Sequence, residues 1–402
     1  MKILVLAKEI VKKLNESGHT AYFAGGWVRD YLLGHPSQDI DIATDADIET
    51  ICQIFPHTVP VGAAFGVVIV VHEDHPFEVA TFREDLDYHD GRRPSNIKKA
   101  TAKEDAQRRD FTINGMFYDP IKEEVLDFVN GKKDLEDRVI RTIGDPSIRF
   151  QEDRLRLLRA IRFTCGLNFK LDESTKQAIK LLSHTLFPSV AIERVWQEIC
   201  KMASKPGFTN ALLLLEETGL LSTLFPQLKN IDRQELNRRI EPIKNFPQPF
   251  PPILALIQLF PDNNYQKSLE LADHFKLSKR EKEIIQCYYQ AKNLVDHPSR
   301  TAWTYFLAKP DAEMIIAIYQ ALKIGSFEKA NHFQKELKEH ITRVQLKKPL
   351  VTSHHLMRQG IKPGIEMGKW LKEAEVITIE KDLKYAEDVI ICLRQKGFKG
   401  DA

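Results

Sequence analysis

Apolar residues follow two different periods along this chain, and the change between them divides it. Over residues 3–17 they recur at the spacing of an amphipathic helix. AYFAGG follows, then a helix over Val28–Leu33, a strand over Asp39–Ala43 in which Ile40 and Ile42 alternate with acids, and a helix over Ile48–Phe55. VVIVV (Val67–Val71) and FEVATF (Phe77–Phe82) read as strands, being rich in β-branched and aromatic residues and separated by a His/Asp/Pro turn. Residues 83–107 are polar, charged and weakly periodic, the pattern of a mobile loop. From Leu135 onward the pattern is helical almost throughout. Breaks fall at GDPS (144–147), FPS (187–189), KPG (205–207), FPQ (225–227) and NFPQPFPP (245–252), where four prolines in eight residues suit a linker or a sharp corner. The pattern therefore predicts a mixed α/β head followed by an all-helical remainder of more than half the chain.

Composition narrows this little. A chain of 402 residues exceeds the usual single core, so two to four domains are expected. A net charge of +2 makes no case for nucleic acid by itself, although uneven spreading can still create a basic surface. Five cysteines stand far apart with no CxxC pair or His/Cys cluster, which argues against both zinc and disulfides. The N-terminus reads as an amphipathic helix rather than a signal peptide, and no apolar run reaches transmembrane length, so a cytoplasmic location is expected.

Candidate chemistry begins at AGGWVRDYLLGHPSQDIDIAT (24–44). On a strand, Asp39 and Asp41 project from one face while the isoleucines enter the core. Two close carboxylates repel unless a cation lies between them, and hard oxygen ligands on one face suit Mg²⁺. Two such ions would clamp the attacking and leaving oxygens of a phosphoryl displacement. Gly25-Gly26 before a short helix lets backbone N–H groups approach a triphosphate, and Arg29 one turn later can fork onto a phosphate. In RRDFTING (108–115), Arg109 is a candidate for triphosphate or base and Asp110 for a ribose hydroxyl, whereas Arg108 reads better as a flanking salt bridge.

RFQEDRLRLLRAIRF (149–163) places Asp153, Arg156, Arg159 and Arg162 three residues apart. On one helix they would form a continuous polar stripe, about 13 Å long at about 1.5 Å per residue, with Leu155, Leu158, Ile161 and Phe163 turned to a core. Arg154 falls off the stripe and is expected in solvent. Taken alone, the segment is an ordinary solvated amphipathic helix.

GGWVRDYLLG…DIDIAT, DYHDGRRP, RRDFTING, EDRLRLLRAIRF and ERVWQE together, in this order over residues 20–200, resemble the class II CCA-adding enzyme and bacterial poly(A) polymerase family; GIKPGIEMGKWL (360–371) resembles the tail of the bacterial CCA-adding enzymes. The resemblance implies a polymerase-β-like nucleotidyltransferase head (1–138), a neck that recognises the base (139–205), a helical body (206–330) and a helical, tRNA-binding tail (331–402). It implies that Asp39 and Asp41 bind Mg²⁺. It further implies that Gly26, Arg29, Arg109, Asp153, Arg156, Arg159 and Arg162 bind the incoming CTP or ATP. Glu193 and Glu198 are expected to stabilise the neck. For Glu78, a third acid near the metals and a solvent-facing or salt-bridged position both stand.

Under that resemblance the arginine stripe gains a purpose. Cytosine and adenine present an exocyclic amine beside an unprotonated ring nitrogen, while uracil and guanine present the reverse order. A carboxylate and a guanidinium, Asp153 and Arg156, offer acceptor then donor and leave buried groups unpaired against U and G. The expected reaction is attack of a tRNA 3′-hydroxyl on CTP or ATP with release of pyrophosphate. The expected partners are tRNA, through its acceptor arm and 3′ end, and the two nucleotides; a homodimer stays open.

VGAAFGVVIVV lacks the arginines that poly(A) polymerases carry at that place, and the 83–107 segment is full length, which favours complete CCA addition. Departures at NIKKA, EDAQ and Gly115 keep an A-adding enzyme as the alternative, with a poly(A) polymerase behind it and a non-catalytic RNA-binding protein or a small-molecule nucleotidyltransferase more remote. His89-Asp90 lacks the partner histidines of a phosphohydrolase site. Trp303, Tyr305 and Trp370 are expected in the core rather than as base-stacking platforms.

Overall fold

The computed structural model describes residues 2–35, 37–60, 66–88, 94–296, 299–324 and 328–398. The chain divides into two compact units, Met1–Arg233 and Gln234–Ala402.

The first unit opens with α1 (Lys2–Glu16), which buries Leu6, Ala7, Ile10, Val11 and Leu14 on one face, as the apolar spacing requires. There follow β1 (Ala21–Ala24), α2 (Gly26–Leu32), β2 (Asp41–Thr44), α3 (Ile48–Ile54), β3 (Thr58–Val59), β4 (Val67–His72) and β5 (His75–Thr81). With β8 (Phe117–Asp119) and β9 (Glu124–Leu126) these strands make a seven-stranded mixed sheet in the order β3-β4-β5-β2-β1-β8-β9. The central strand β2 runs antiparallel to β1 and parallel to β5, with Ala24 opposite Asp41 and Val79 opposite Ile42. That register brings the Gly25-Gly26 turn and Glu78 to the same end of the sheet as Asp41.

Residues 83–107 depart from the expected loop. β6 (Arg83–Tyr88) and β7 (Pro94–Lys99) form an antiparallel pair, and α4 (Ala102–Gln107) begins with a capping box in which Thr101 and Glu104 satisfy each other's backbone N–H. The many charged residues of REDLDY (83–88) and PSNIKK (94–99) mask any period-two signal in the sequence. His89-Asp90 and part of DYHDGRRP lie outside the described residues.

Gly115 is explained by space. A Cβ there would lie 2.8 Å from both Ile143 Cδ1 and Val129 Cγ2, so an alanine would have to displace them.

Beyond the sheet, α5 (Gly131–Glu136) and β10 (Val139–Ile140) lead into α6 (Pro146–Glu152) and α7 (Leu155–Leu167). β11 (Lys170–Leu171) pairs in parallel with β10. It is followed by α8 (Glu173–Leu182), α9 (Leu186–Ser189), α10 (Ile192–Ala203), α11 (Phe208–Glu217) and α12 (Leu220–Leu224). The single expected helix over 149–163 is in fact two. The chain breaks at Asp153, whose extended backbone (φ −142°) ends α6 and whose carboxylate accepts the Leu155 N–H at 3.0 Å to start the next helix. An aspartate's preference for caps overrides the apolar period there.

The second unit is helical throughout its described residues. NFPQPFPP lies inside it and acts as a corner, with Phe246 and Phe250 buried against each other. Trp303 and Tyr319 are core residues, and Trp370 packs edge-on against Phe398. Tyr305 contradicts the expectation: at 44% exposure it lies on the surface, because the apolar stripe of its helix (Arg300–Leu307) runs through Trp303, Phe306 and Leu307. No described helix is long and apolar enough to cross a membrane.

Candidate nucleotide and metal site

A cavity of about 470 Å³ lies within the first unit. Nine of the ten predicted site residues line it: Gly26, Arg29, Asp41, Arg109, Asp110, Asp153, Arg156, Arg159 and Arg162. Arg108, Asn114, Phe163 and Arg194 complete its polar and aromatic walls. Asp39 stands two residues before Asp41, exposed and just ahead of β2 rather than within it.

Backbone geometry sets the sheet side. Gly25 has φ +67° and ψ −128°, a conformation reserved for glycine, and a Cβ on it would stand 3.0 Å from Arg109 Nη1. The Asp41 carboxyl is pushed up to about 6, first by burial and then by the negative charges of Glu78 and Asp39; Arg109 offsets them only in part. Mutual repulsion of this kind is what a divalent cation between the carboxylates would relieve, so the donor set fits a hard cation. Among the described residues no group of three or more His, Cys, Asp or Glu converges as a metal cage. A carboxylate pair that leaves other positions to water and phosphate is the arrangement Mg²⁺ accepts. All five cysteines are free.

On the helical side each arginine has its own anchor. Arg29 donates from Nε to Asp30 at 2.8 Å and from Nη1 to the Asn114 side-chain oxygen at 2.7 Å. Arg108 and Arg109 share Asp105, at 2.6 and 2.9 Å, and that carboxylate is 1% exposed. Burial alone would raise the Asp105 carboxyl, yet the two guanidinium groups hold it below the usual range. Arg159 donates from Nε to Asp110 at 2.7 Å, and Arg162 donates to Glu198 at 2.6 Å.

Asp110 is engaged on both oxygens, by Arg159 on one and by Asn114 and its neighbour's N–H on the other. Burial pushes its carboxyl up, but Arg159 and Arg156 outweigh this and hold it down to about 2. Its placement is therefore that of an anchor for Arg159, and the expected contact to a ribose hydroxyl would have to share an oxygen with these donors.

Asp153 and Arg156 both face the cavity but do not pair with each other. Asp153 meets Arg194 at 3.3 Å, whereas Arg156 donates to Glu152 at 2.6 Å and to the Arg108 carbonyl at 3.1 Å. Arg154 is not solvated: it is half-buried, and its Nη1 donates to the Phe150 carbonyl at 2.6 Å, closing the end of α6. Sequence reasoning missed Asp105, Asn114, Glu152 and Arg194. Asp105 lies one turn before Arg109 and Glu152 four residues before Arg156, both readable i,i+4 signals, and Asn114 stands four residues after Asp110; only Arg194, 41 residues from Asp153, joins purely through tertiary packing.

Comparison with known proteins bears on the same regions. Residues 21–141 match the family model described as the poly A polymerase head domain, and residues 168–232 match the one described as a probable RNA and SrmB-binding site of polymerase A. The chain is 44% identical over 220 residues to the CCA-adding enzyme of Geobacillus thermodenitrificans, a match spanning 54% of each, so about half the length of that relative. It is 35% identical over 375 residues to the CCA-adding enzyme of Geobacillus sp. WCH70, covering 90% of this chain and 89% of that one. The solved structure of the Bacillus stearothermophilus CCA-adding enzyme in complex with CTP superposes with a TM-score of 0.75 at 26% identity over 99% of both chains.

Proposed function

The chain belongs to the CCA-adding enzyme family, and on that premise we propose that it adds the 3′-terminal CCA to tRNA from CTP and ATP, without a nucleic-acid template and with release of pyrophosphate. The observation that carries this reading is the convergence of the Gly25-Gly26 turn, Asp41 and the arginines of α2 and α7 on one cavity. The pocket is sized and charged for a nucleoside triphosphate: it gathers seven arginines and three aspartates.

In this proposal Asp39 and Asp41 hold Mg²⁺. When bound, the metal supplies charge neutralisation at the α-phosphate and at the attacking 3′-oxygen. Gly26, Arg29 and Arg109 receive the triphosphate, the close approach being possible because Gly25 carries no side chain. Asp153 accepts from the exocyclic amine of cytosine or adenine, and Arg156 donates to the adjacent ring nitrogen. Arg194 holds the Asp153 carboxylate, and Glu152 holds Arg156, so acceptor and donor are fixed before the base arrives. Arg159 and Arg162 supply positive charge along the nucleotide, steadied by Asp110 and Glu198. The proposal includes the four-part division into head (1–138), neck (139–205), body (206–330) and tail (331–402), the last holding the tRNA, and a cytoplasmic location.

The test uses purified protein, Mg²⁺ and three tRNA transcripts: one lacking CCA, one ending in CC and one complete. Each is offered CTP, ATP, UTP or GTP and resolved on a sequencing gel. Two C's and one A on the shortest transcript, with nothing from UTP or GTP, are expected. Extension of only the CC-ended transcript, by ATP, would make the protein an A-adding enzyme. No incorporation by folded, metal-loaded protein would overturn the catalytic reading.

A further inference from the structure

Phe163 belongs to none of the roles assigned so far, yet it stands at the centre of the arginine cluster. It lines the cavity and is 7% exposed. Three guanidinium carbons lie over its ring: Arg29 at 5.2 Å, Arg159 at 5.3 Å and Arg162 at 4.1 Å from the centroid. The ring is itself fixed by Phe111, edge-on at 5.6 Å. Cations within about 6 Å of an aromatic centroid are attracted by the negative π face.

Each of the three arginines also has an acid, and the acids pull in different directions. Asp30 lies on α2, Asp110 in the RRDFTING segment, and Glu198 on α10. The hydrogen bonds of Arg29 go to Asp30 and Asn114, both outside α7. The ring is thus the direct contact that α2's guanidinium shares with both arginines on α7, beside a hydrogen-bonded route that runs from Arg29 through Asn114 and Asp110 to Arg159 alone. Three like charges so close repel one another, and the nearness of Arg159 is one cause, after burial, of Arg162 falling below its ordinary value.

From this geometry we infer that Phe163 is a positioning residue for nucleotide selection: its π face holds the phosphate-end arginine of α2 and the two α7 arginines in one fixed arrangement around the incoming nucleotide. The inference rests on the proposed reading of the cavity as a CTP and ATP site. A leucine at this position keeps an apolar side chain but offers no π face, so each guanidinium would follow its own acid and the spacing between the triphosphate and base contacts would loosen. Because selection against uracil depends on donors and acceptors being rigidly placed, discrimination is expected to fall with affinity.

The test replaces Phe163 with mono-, di- and trifluorophenylalanine, which drain the π face stepwise with little change in shape, beside Phe163→Leu. CTP and ATP dissociation constants are measured by calorimetry, together with the CTP-to-UTP incorporation ratio, tRNA affinity and melting temperature. Nucleotide affinity should fall stepwise to about tenfold at three fluorines and at least as far in F163L. The incorporation ratio should fall in parallel, with tRNA affinity and melting unchanged across the fluorinated set. A flat series would overturn the inference, even if F163L lost affinity or failed to fold, because the ring would then act by volume alone. Failure of the wild-type protein itself to bind CTP or ATP would instead overturn the functional reading, and this inference with it.

Discussion

On the sheet side of the cavity Asp41 faces the charges of Asp39 and Glu78, and its carboxyl is driven up to about 6; on the helical side Asp110 faces Arg159 and Arg156 and is driven down to about 2. Both are aspartates beside a single pocket, and burial pushes both in the same direction. The difference is the sign of the neighbours. Carboxylates left facing one another mark a place where positive charge is to be brought from outside. Guanidinium groups already paired with Asp105, Asp110, Glu152 and Glu198 mark a surface whose positive charge is built in and held still. A triphosphate with its cation complements both sides together, one through the metal and the other directly.

Neutralising the sheet side gives the largest expected effect. Asp41→Asn should cut single-turnover incorporation by at least about 10³-fold, roughly 4 kcal/mol of barrier, because the proposed metal clamp would lose a ligand. It should not cost stability. A carboxyl whose folded value lies above its unfolded one binds more protons when folded, so the metal-free protein loses stability as pH rises through about 6. Asp41→Asn should flatten that slope, and added Mg²⁺ should stabilise the wild type while leaving the variant little changed. Melting scans between pH 4 and 8 with and without the ion separate these outcomes.

The helical side should answer in the opposite manner, through stability. Glu198 is 2% exposed and its carboxylate receives Arg162 at 2.6 Å. Glu198→Ala leaves a half-buried guanidinium, its side chain 18% exposed, without its acid, at a cost of up to about 3 kcal/mol. In Arg162→Met/Glu198→Leu most of that loss should return. Denaturant titrations of the single and double variants measure it, and a loss below about 1 kcal/mol for Glu198→Ala would place the pair effectively in solvent.

Which parts of this contrast were readable from the chain follows from the range of each signal. The glycine turn, the Asp39–Asp41 spacing and the α7 arginines each lie within a few residues of chain, where period and residue type suffice. The helix break at Asp153 was hidden because Leu155, Leu158 and Ile161 keep the apolar period going after it. The β6–β7 pair was hidden by its charges. Tyr305 read as core because its neighbours Trp303 and Phe306 are core. For Arg159 and Arg162 the acid could not be read at all: Arg159 reaches Asp110 across 49 residues and Arg162 reaches Glu198 across 36, so only the fold decides between many acids.

Base selection tests whether the preset half of the cavity is as rigid as its pairing suggests. Asp153→Asn offers an amide where a pure acceptor stood, and it weakens the tie to Arg194. The preference for CTP over UTP should fall about 100-fold, close to 3 kcal/mol, with the rate on CTP reduced less than the discrimination. Competition assays with mixed nucleotides on the shortest transcript read this ratio directly. An unchanged ratio would move the reading of the base to Arg156 alone.

The smallest effect concerns Asp110, the anchor of Arg159. Folded Asp110 stays ionised down to about 2, whereas an unfolded aspartate takes up its proton near 4. The folded state therefore gains about 2 kcal/mol at every pH above about 4, and that gain drains away as pH falls from 4 towards 2. Asp110→Asn should remove it, lowering stability at neutral pH while making stability less dependent on pH in the acid range. The two unfolding curves, wild type and variant, should converge as pH approaches 2. If they stayed parallel down to that pH, the carboxylate would not be carrying its charge in the folded protein, and Arg159 would owe its position to the Phe163 ring rather than to the acid.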